Sequence, residues 1–316
     1  MAAPTNSYKT YDIVGQREGL TDILTNISPT DTPFQSNIGR TKATSILHEF
    51  QTDSLASASS NAQIEGDDST AEAQVPTVRL SNRTQISKKV VNVSGTANAT
   101  VKAGRGNKEL SMMLAKAGKE LKRDMEVDLT GKNTAVAGNA TTARKLRGYE
   151  SWVSTNKSHG TSGATNASTG VVTDGTQRVF TEAMLKDVLQ QCWTEGGDPD
   201  CVMVNSFNKQ KISGFTGIAT LYRDTAGSKG QASILGSADL YISDFGEVKI
   251  VPNRFQRDRS ALVIEKDKWA VAYLRPFKQE KLAKTGDSDV VHMLCEYTLE
   301  AKSEASSGKV ADLTTS

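Results

Sequence analysis

The chain has 316 residues, of which 37% are hydrophobic and 23% are charged, a balance typical of folded proteins rather than disordered ones. Its formal net charge is only +2, which argues against a protein held to nucleic acid by its overall charge. The longest apolar runs fall far short of the roughly 18 residues that span a bilayer, and the first residues contain no apolar signal core. We therefore expect neither a membrane protein nor a secreted one, with its three cysteines reduced and buried.

The N-terminal region is predicted to form an arm. Residues 17–27 have the apolar spacing of a short helix. Residues 26–40, NISPTDTPFQSNIGR, contain two prolines that favour extended backbone. The apolar side chains of this second stretch are too few to form a core of their own, so we expect them to lie against a neighbouring molecule. These side chains are Ile27, Phe34 and Ile38.

A long hairpin is predicted to follow the arm. Residues 42–52 and 77–93 alternate apolar and polar side chains with the period of a β-strand. The segment between them, 54–76, contains four acidic residues and neither lysine nor arginine. An isolated hairpin is only marginally stable in water, so we expect this one, with its acidic tip, to rest on another surface. The acidic residues are Glu65, Asp67, Asp68 and Glu72.

The middle of the chain contains two helical patterns separated by a low-complexity segment. The stronger pattern covers 107–131, where apolar residues recur every three or four positions. Residues 154–176 are rich in Ser, Thr, Asn, Gly and Ala, which is typical of a mobile surface segment. Residues 182–195 are predicted to form an amphipathic helix that points Trp193 inward.

Strands dominate the C-terminal third of the sequence. The segments 238–253, 261–274 and 290–302 are predicted to be strands or strand pairs, and the last of them alternates apolar with polar side chains. The predicted fold class is therefore α+β. It combines one long helix with an antiparallel sheet drawn from distant parts of the sequence, and an α/β insert lies between them.

No motif predicts an enzyme, a cofactor or a metal. The most tempting pattern is that of serine acyl transfer, with S-x-x-K at 154–157 and K-T-G at 284–286. That chemistry needs its serine at the start of a packed helix, whereas this serine opens the low-complexity segment. The three histidines are far apart in the sequence, which gives no metal-ligand spacing. A secreted adhesin would fit the Ser/Thr/Asn richness, but it should show a signal segment and repeats.

Four longer phrases resemble a known family. In order along the chain they are TYDIVGQREGLTDILTNISPTDTPF (10–34), WTEGGDPD (193–200), AYLRPFKQEKLAKTGDSD (272–289) and CEYTLE (295–300). Together they are similar to the major capsid proteins of tailed bacteriophages, which have the Hong-Kong-97-like fold. The resemblance runs from about residue 8 to residue 305. It implies a structural shell subunit that carries no active site.

The resemblance also implies a domain organisation. Residues 1–41 correspond to the N-terminal arm and 42–95 to an extended hairpin loop that overlaps an adjacent subunit. A peripheral domain follows at 96–149, with a spine helix at 105–131. The remaining segments are an axial domain at 150–252, strands at 253–305 that return to the peripheral domain, and a C-terminal tail at 306–316.

The partners implied by the resemblance are chiefly further copies of the chain. These copies would form hexamers and pentamers of an icosahedral or prolate head, assembled in the cytoplasm of the host bacterium. A portal protein at one vertex, scaffolding and decoration proteins, and packaged double-stranded DNA bound without sequence preference complete the expected set. The acidic hairpin tip is expected to meet a basic patch on the adjacent subunit. The candidates for that patch are Arg144, Lys145 and Arg147, or Arg254, Arg257 and Arg259.

Overall fold

The computed structural model of the chain describes residues 28–66, 74–100, 109–215, 239–284 and 286–315. The described helices are α1 (Pro33–Asn37), α2 (Gly95–Ala99), α3 (Glu109–Thr130), α4 (Tyr149–Trp152), α5 (Glu182–Thr194) and α6 (Ser206–Ser213). The described strands are β1 (Gly39–Lys42), β2 (Leu47–Thr52), β3 (Val78–Arg83), β4 (Gln85–Ser94), β5 (Asn156–Ser158), β6 (Ala164–Thr165), β7 (Val172–Thr173), β8 (Cys201–Val204), β9 (Leu240–Ser243), β10 (Gly246–Pro252), β11 (Ala261–Ile264), β12 (Trp269–Lys281), β13 (Ser288–Ala301) and β14 (Gly308–Val310).

A four-stranded sheet with the order β1-β12-β13-β4 packs against the long helix α3. Strand β13 runs antiparallel to both of its neighbours, whereas β1 joins the edge parallel to β12. The alternation predicted for the last strand is confirmed, because its apolar side chains share one buried cluster with α3. These side chains are Val291, Met293, Cys295, Tyr297 and Leu299. The helix predicted over 105–131 is confirmed from Glu109 to Thr130.

A six-stranded sheet forms the second part of the fold, with the order β5-β14-β11-β8-β10-β9. Helix α5 packs on one of its faces, above β14 and β5. Helix α5 and strand β14 approach each other closely at Gly308, since a side chain there would overlap Val188 and Cys192 of the helix. The opposite face contributes Met203 and Leu262 to the core that contains α3. The two sheets are therefore joined through a common apolar core.

The sheet order corrects three expected boundaries. Strand β4 pairs with β13 along its whole length, so the projecting hairpin consists of β2 and β3 and does not extend to residue 95. Strand β11 belongs to the six-stranded sheet, so the return to the four-stranded sheet begins at β12 rather than at residue 253. The expected C-terminal tail contains β14, which lies buried between β5 and β11.

The low-complexity segment is an ordered part of the structure rather than a mobile loop. It contains β5, β6 and β7. The Asp312 carboxylate ties the segment down, because it accepts hydrogen bonds from the backbone N–H groups of Gly160 at 3.0 Å and Gly175 at 2.7 Å. Short polar residues favour turns and local hydrogen bonds. Here the partner that orders them comes from about 140 residues further along the chain.

The stretch expected to be extended contains a helix. Pro33 occupies the first turn of α1, where its missing N–H costs nothing and its fixed φ suits a helix. Strand β1 follows within two residues. Among the described helices, none has both the length and the apolar composition that crossing a lipid bilayer requires.

Candidate assembly surfaces

Phe34 lies in the chain's own core and is not a contact to a neighbour. Its side chain is 0% exposed, and its ring meets Tyr149 edge-on with 5.8 Å between centroids. Ile38 is buried in the same cluster. Both residues were expected to lie on an adjacent subunit, and the structure corrects this because α1 packs against α3 within the same molecule. Ile27 lies outside the described residues.

A buried carboxylate holds α1 in place. Glu126, on α3, accepts hydrogen bonds from the backbone N–H groups of Phe34 at 2.6 Å and Gln35 at 3.1 Å. The Asn253 amide donates to the same carboxylate at 2.9 Å. Burial raises the pKa of Glu126 above its ordinary value, and these hydrogen bonds oppose the shift. Reasoning from the sequence missed this group, since Glu126 resembles the solvated acids on the rest of the helix.

The raised pKa predicts how stability responds to pH. Folded Glu126 holds its proton more tightly than the unfolded chain does, so its contribution to stability is fully present below the unfolded pKa and is lost as pH rises through the folded pKa. Glu126→Gln removes this dependence. The stability of the wild type relative to the Gln variant should therefore fall as pH is raised from about 4.5, as urea unfolding of both proteins between pH 4.5 and 7.5 would measure. A difference that does not vary with pH would contradict the assignment.

Two of the three cations in the first candidate basic patch bond to groups of their own subunit. Arg144 donates to Glu296 at 2.6 Å. Arg147 donates to the carbonyl oxygen of Ser151 at 2.8 Å and stacks over the Trp152 ring at 4.3 Å. Lys145 is exposed.

Two of the three cations in the second candidate patch also form ion pairs within the subunit. Arg257 donates to Glu150 at 2.9 Å and to Asp174 at 2.6 Å. Arg259 lies 3.3 Å from Asp312, and Arg254 is exposed. Four of the six candidate cations thus have partners within their own subunit, and their contact with a neighbour's acidic tip stays a prediction. Among the acids of that tip, Glu65 is exposed, while Asp67, Asp68 and Glu72 lie outside the described residues.

The β2–β3 hairpin carries the most exposed apolar side chains of the described chain. Residues 53–66 form neither helix nor strand and are exposed throughout. Within them Leu55 is 97% and Ile64 is 81% exposed. The base of the hairpin is anchored, because Phe50 packs on Trp152 with 6.0 Å between ring centroids. A fixed base with an apolar, fully exposed end is an arrangement suited to contact with another molecule.

A second exposed apolar surface lies at the outer end of the six-stranded sheet. Trp193 is 59% exposed and stacks on Phe245 with 5.4 Å between ring centroids. The prediction that Trp193 points inward is wrong. The buried side of α5 is formed by Leu185, Val188, Leu189 and Cys192, and Trp193 lies about 100° further around the helix than Cys192.

The serine and the two lysines of the acyl-transfer pattern each bond to a different partner. The Ser154 hydroxyl donates to Glu304 at 3.3 Å, and the Lys157 ammonium donates to the carbonyl oxygen of Thr165 at 3.2 Å. Lys284 pairs with Asp289 at 3.3 Å on the surface. Across the described parts of the chain, no group of three or more His, Cys, Asp or Glu side chains is placed to hold a metal ion.

The chain is similar to known capsid proteins over nearly its whole length. The family model described as SU10 major capsid protein matches residues 4–314. The major capsid protein of Escherichia phage Phieco32 is 30% identical over 354 aligned residues, which cover 98% of this chain and 97% of that protein.

Solved structures show the same fold at low sequence identity. The capsid asymmetric unit of cyanophage A-1(L) has a TM-score of 0.66 and 14% identity, covering 98% of this chain and 99% of that one. A chain from Mycobacterium phage Bobi has a TM-score of 0.61 and 10% identity, covering 94% and 95%. The α+β fold described above is thus the Hong-Kong-97-like fold of phage capsid proteins. With the family model spanning almost every residue, this protein belongs to the SU10 family of tailed-phage major capsid proteins and is part of the virion.

Proposed function

We propose that the protein assembles with copies of itself into hexamers and pentamers, and that these build an icosahedral or prolate head around double-stranded DNA. The observation that carries this proposal is the exposed end of the β2–β3 hairpin, with Leu55 and Ile64 almost fully exposed. Burying a side chain of this kind contributes about 1.5–3 kcal/mol. A contact repeated around a closed shell accumulates that contribution at every subunit.

The further partners follow from the same proposal. A head needs a portal at one vertex, and scaffolding or decoration proteins would meet the shell on its inner or outer surface. Packaged DNA would be contacted without sequence preference and without strong attraction, because a net charge of only +2 neutralises few phosphates. We place assembly in the cytoplasm of the bacterial host, and we assign the protein no catalytic activity and no cofactor.

Sedimentation and electron microscopy of the purified protein test the proposal directly. We expect rings of five and six subunits or closed shells, in amounts that increase with protein concentration. A protein that stays monomeric at high concentration and gains mass on incubation with a β-lactam would instead support serine acyl transfer. Either a stable monomer or such an adduct would overturn the proposed function.

The hairpin end should matter for assembly and not for the fold. In Leu55→Ser/Ile64→Ser the melting temperature of the free subunit should stay within about 1 °C of the wild type, because both side chains are exposed. The subunit concentration needed for shells should rise at least tenfold, since about 1.4 kcal/mol changes an equilibrium constant tenfold. Val171→Ser, at an exposed position outside the hairpin, is the matched control. Unchanged shell yield in the double variant would contradict this role.

A further inference from the structure

A few aspartate residues of the chain precede a small residue, and such pairs rearrange without an enzyme. The backbone nitrogen of the second residue attacks the side-chain carboxyl carbon of the aspartate and forms a five-membered succinimide ring. The carboxyl hydroxyl leaves as water, together with the proton of that nitrogen. A second water molecule then opens the ring at either carbonyl, and opening at the main-chain carbonyl gives isoaspartate. Because water is the only other reactant, the local structure decides which pair reacts.

Asp174 and Gly175 form the only Asp–Gly pair of the sequence, which contains no Asn–Gly pair. In an unfolded chain this pair is the most reactive one, because glycine has no side chain to hinder the approach of its nitrogen. In the structure both reacting groups are bonded elsewhere. The Gly175 N–H donates to Asp312 at 2.7 Å, and the Asp174 carboxylate accepts hydrogen bonds from Arg257 at 2.6 Å and from Lys132 at 2.8 Å.

These contacts oppose the rearrangement of Asp174 in two ways. To attack, the Gly175 nitrogen must turn toward the carboxyl carbon, which breaks its hydrogen bond to the buried Asp312 carboxylate. The Asp174 carboxyl must also carry a proton for its oxygen to leave as water. Partial burial would raise the pKa of Asp174, but the hydrogen bonds from Lys132 and Arg257 outweigh it and hold this pKa below its ordinary value. The fold thus protects the pair that is most reactive by its sequence.

Asp53 and Ser54 have the opposite environment. Both residues are exposed, and they begin the irregular segment 53–66 directly after β2. The Ser54 N–H donates to the Asp53 side chain, with 3.0 Å between its nitrogen and Oδ1. The attacking nitrogen therefore lies beside the carboxyl group it must attack, and reacting groups held at about 3–3.5 Å are typical of a conformer ready to react. This hydrogen bond lies within the pair itself, so the attack detaches neither residue from the rest of the fold.

Asp287 is the other described aspartate that precedes a serine. Ser288 is the first residue of β13, and its N–H donates to the carbonyl oxygen of Gly286 at 2.9 Å. Attack on Asp287 would break this bond at the start of a paired strand. Asp287 therefore ranks with Asp174 as a protected residue, and below Asp53.

We propose that Asp53 is the described residue at which the folded subunit forms succinimide and isoaspartate, whereas Asp174 stays unmodified although its sequence is more reactive. Conversion of Asp53 inserts one extra carbon atom into the backbone where the hairpin leaves β2. The chain direction of the segment that carries Leu55 changes at that point. This inference concerns the chemistry of a single subunit, so it stands whether or not the protein forms shells.

Two variants identify the cause of the difference. Asp53→Glu keeps the charge but cannot close a five-membered ring, so it should abolish the product at 53 and leave the melting temperature unchanged, since the residue is exposed. Asp312→Asn keeps a residue type that tolerates the left-handed backbone at this position, where φ is 60°, and removes the charge that holds the Gly175 N–H. Isoaspartate at 174 should then rise about tenfold. A folded Asp312→Asn chain in which Asp174 stays as unreactive as in the wild type would refute the protection by Asp312.

Peptide mapping of aged wild-type subunit decides the assignment even if Asp312→Asn does not fold. The protein is incubated in mildly acidic buffer, either folded or unfolded in urea, and isoaspartate is located by mass spectrometry with electron-transfer fragmentation, which distinguishes the two isomers. In the folded subunit we expect about tenfold more isoaspartate at 53 than at 174, a barrier difference of about 1.36 kcal/mol. In urea the order should reverse. Folded subunit with as much isoaspartate at 174 as at 53, or with none at 53 while the urea sample reacts at 174, would overturn the proposal.

Discussion

Replacing Phe34 with alanine should lower the free energy of unfolding of the isolated subunit by about 3–5 kcal/mol, the usual cost of removing a buried aromatic ring. The ring is fully buried between α3 and Tyr149, and the backbone around it is fixed by Glu126. Little room exists for the surroundings to relax into the cavity. Denaturant unfolding of the free subunit measures the loss. Phe277→Ala, at a partly exposed position on β12, is the matched control and should cost far less.

The same experiment separates two roles for the residues around Phe34. Were the ring an anchor on a neighbouring subunit, its loss would leave the stability of the free subunit unchanged and weaken only the assembled shell. The buried position of the ring predicts instead that the free subunit loses stability. Assembly then decreases as a consequence. An unchanged unfolding midpoint in the free Phe34→Ala subunit would refute the core assignment.

Glu150→Ala should destabilise the subunit by a similar amount, about 3–5 kcal/mol, because it removes the buried carboxylate that balances the charges of Arg257 and Lys309. The Glu150 carboxylate is fully buried and accepts hydrogen bonds from Arg257 at 2.9 Å and from the Ser260 hydroxyl. Lys309 is also fully buried, with its ammonium on the backbone carbonyl of Glu150 and on Thr165 at 2.7 Å. Asp187→Ala, which removes an exposed acid of α5, is the control and should change stability by less than about 0.5 kcal/mol.

The pH dependence of the Glu150 variant gives a second readout. Burial lowers the pKa of Lys309 to about 8, and the charge of Glu150 opposes that shift. The unfolded chain binds the proton more tightly, so the Lys309 contribution to stability rises with pH between about 8 and 10.5. Without Glu150 the pKa of Lys309 falls further. The gap between the variant and the wild type should therefore narrow as pH rises through about 8, the folded pKa of Lys309 in the wild type, and a gap that widens over that range would contradict the coupling.

Regular periodicity made part of the fold predictable. The spacing of Ala117, Leu121 and Met125 predicted α3, and the alternation along β13 predicted a strand with one buried face. The helical spacing and the strand alternation both arise because a helix or a strand buries the side chains of only one of its faces. The pattern therefore indicates the structure without knowledge of the partner that covers it.

Other features depend on contacts between distant residues and left no local pattern. Strand β14 is three residues long and includes a buried lysine, so it resembles neither an apolar run nor an alternating strand. Pro33 favours extended backbone before it, but the same residue also suits the start of a helix. The partners of the basic runs could not be identified from the sequence, because the acids, such as Glu296 for Arg144, lie up to 152 residues away.

The candidate surface was partly predictable. The acidic charge and the absence of basic residues indicated an exposed hairpin end, and the structure places Leu55, Ile64 and Glu65 there. The exposed face of β4 was not predictable from the sequence, because its side chains reach either α3 or solvent according to a register that β13 sets. A shift of one residue would have exchanged the two faces.

The place of β14 within the six-stranded sheet has a consequence for the order of folding during synthesis. Strand β5 is made about 150 residues before β14, yet β14 is the neighbour that joins it to β11. A ribosome adds about 5–20 residues per second, so β5 waits for many seconds before its partner exists. The segment around it, with Asp312 still missing, cannot adopt its final arrangement in that interval. The six-stranded sheet is thus completed only after residues 308–312 have been made, so a chain that stops short of them cannot reach the native fold.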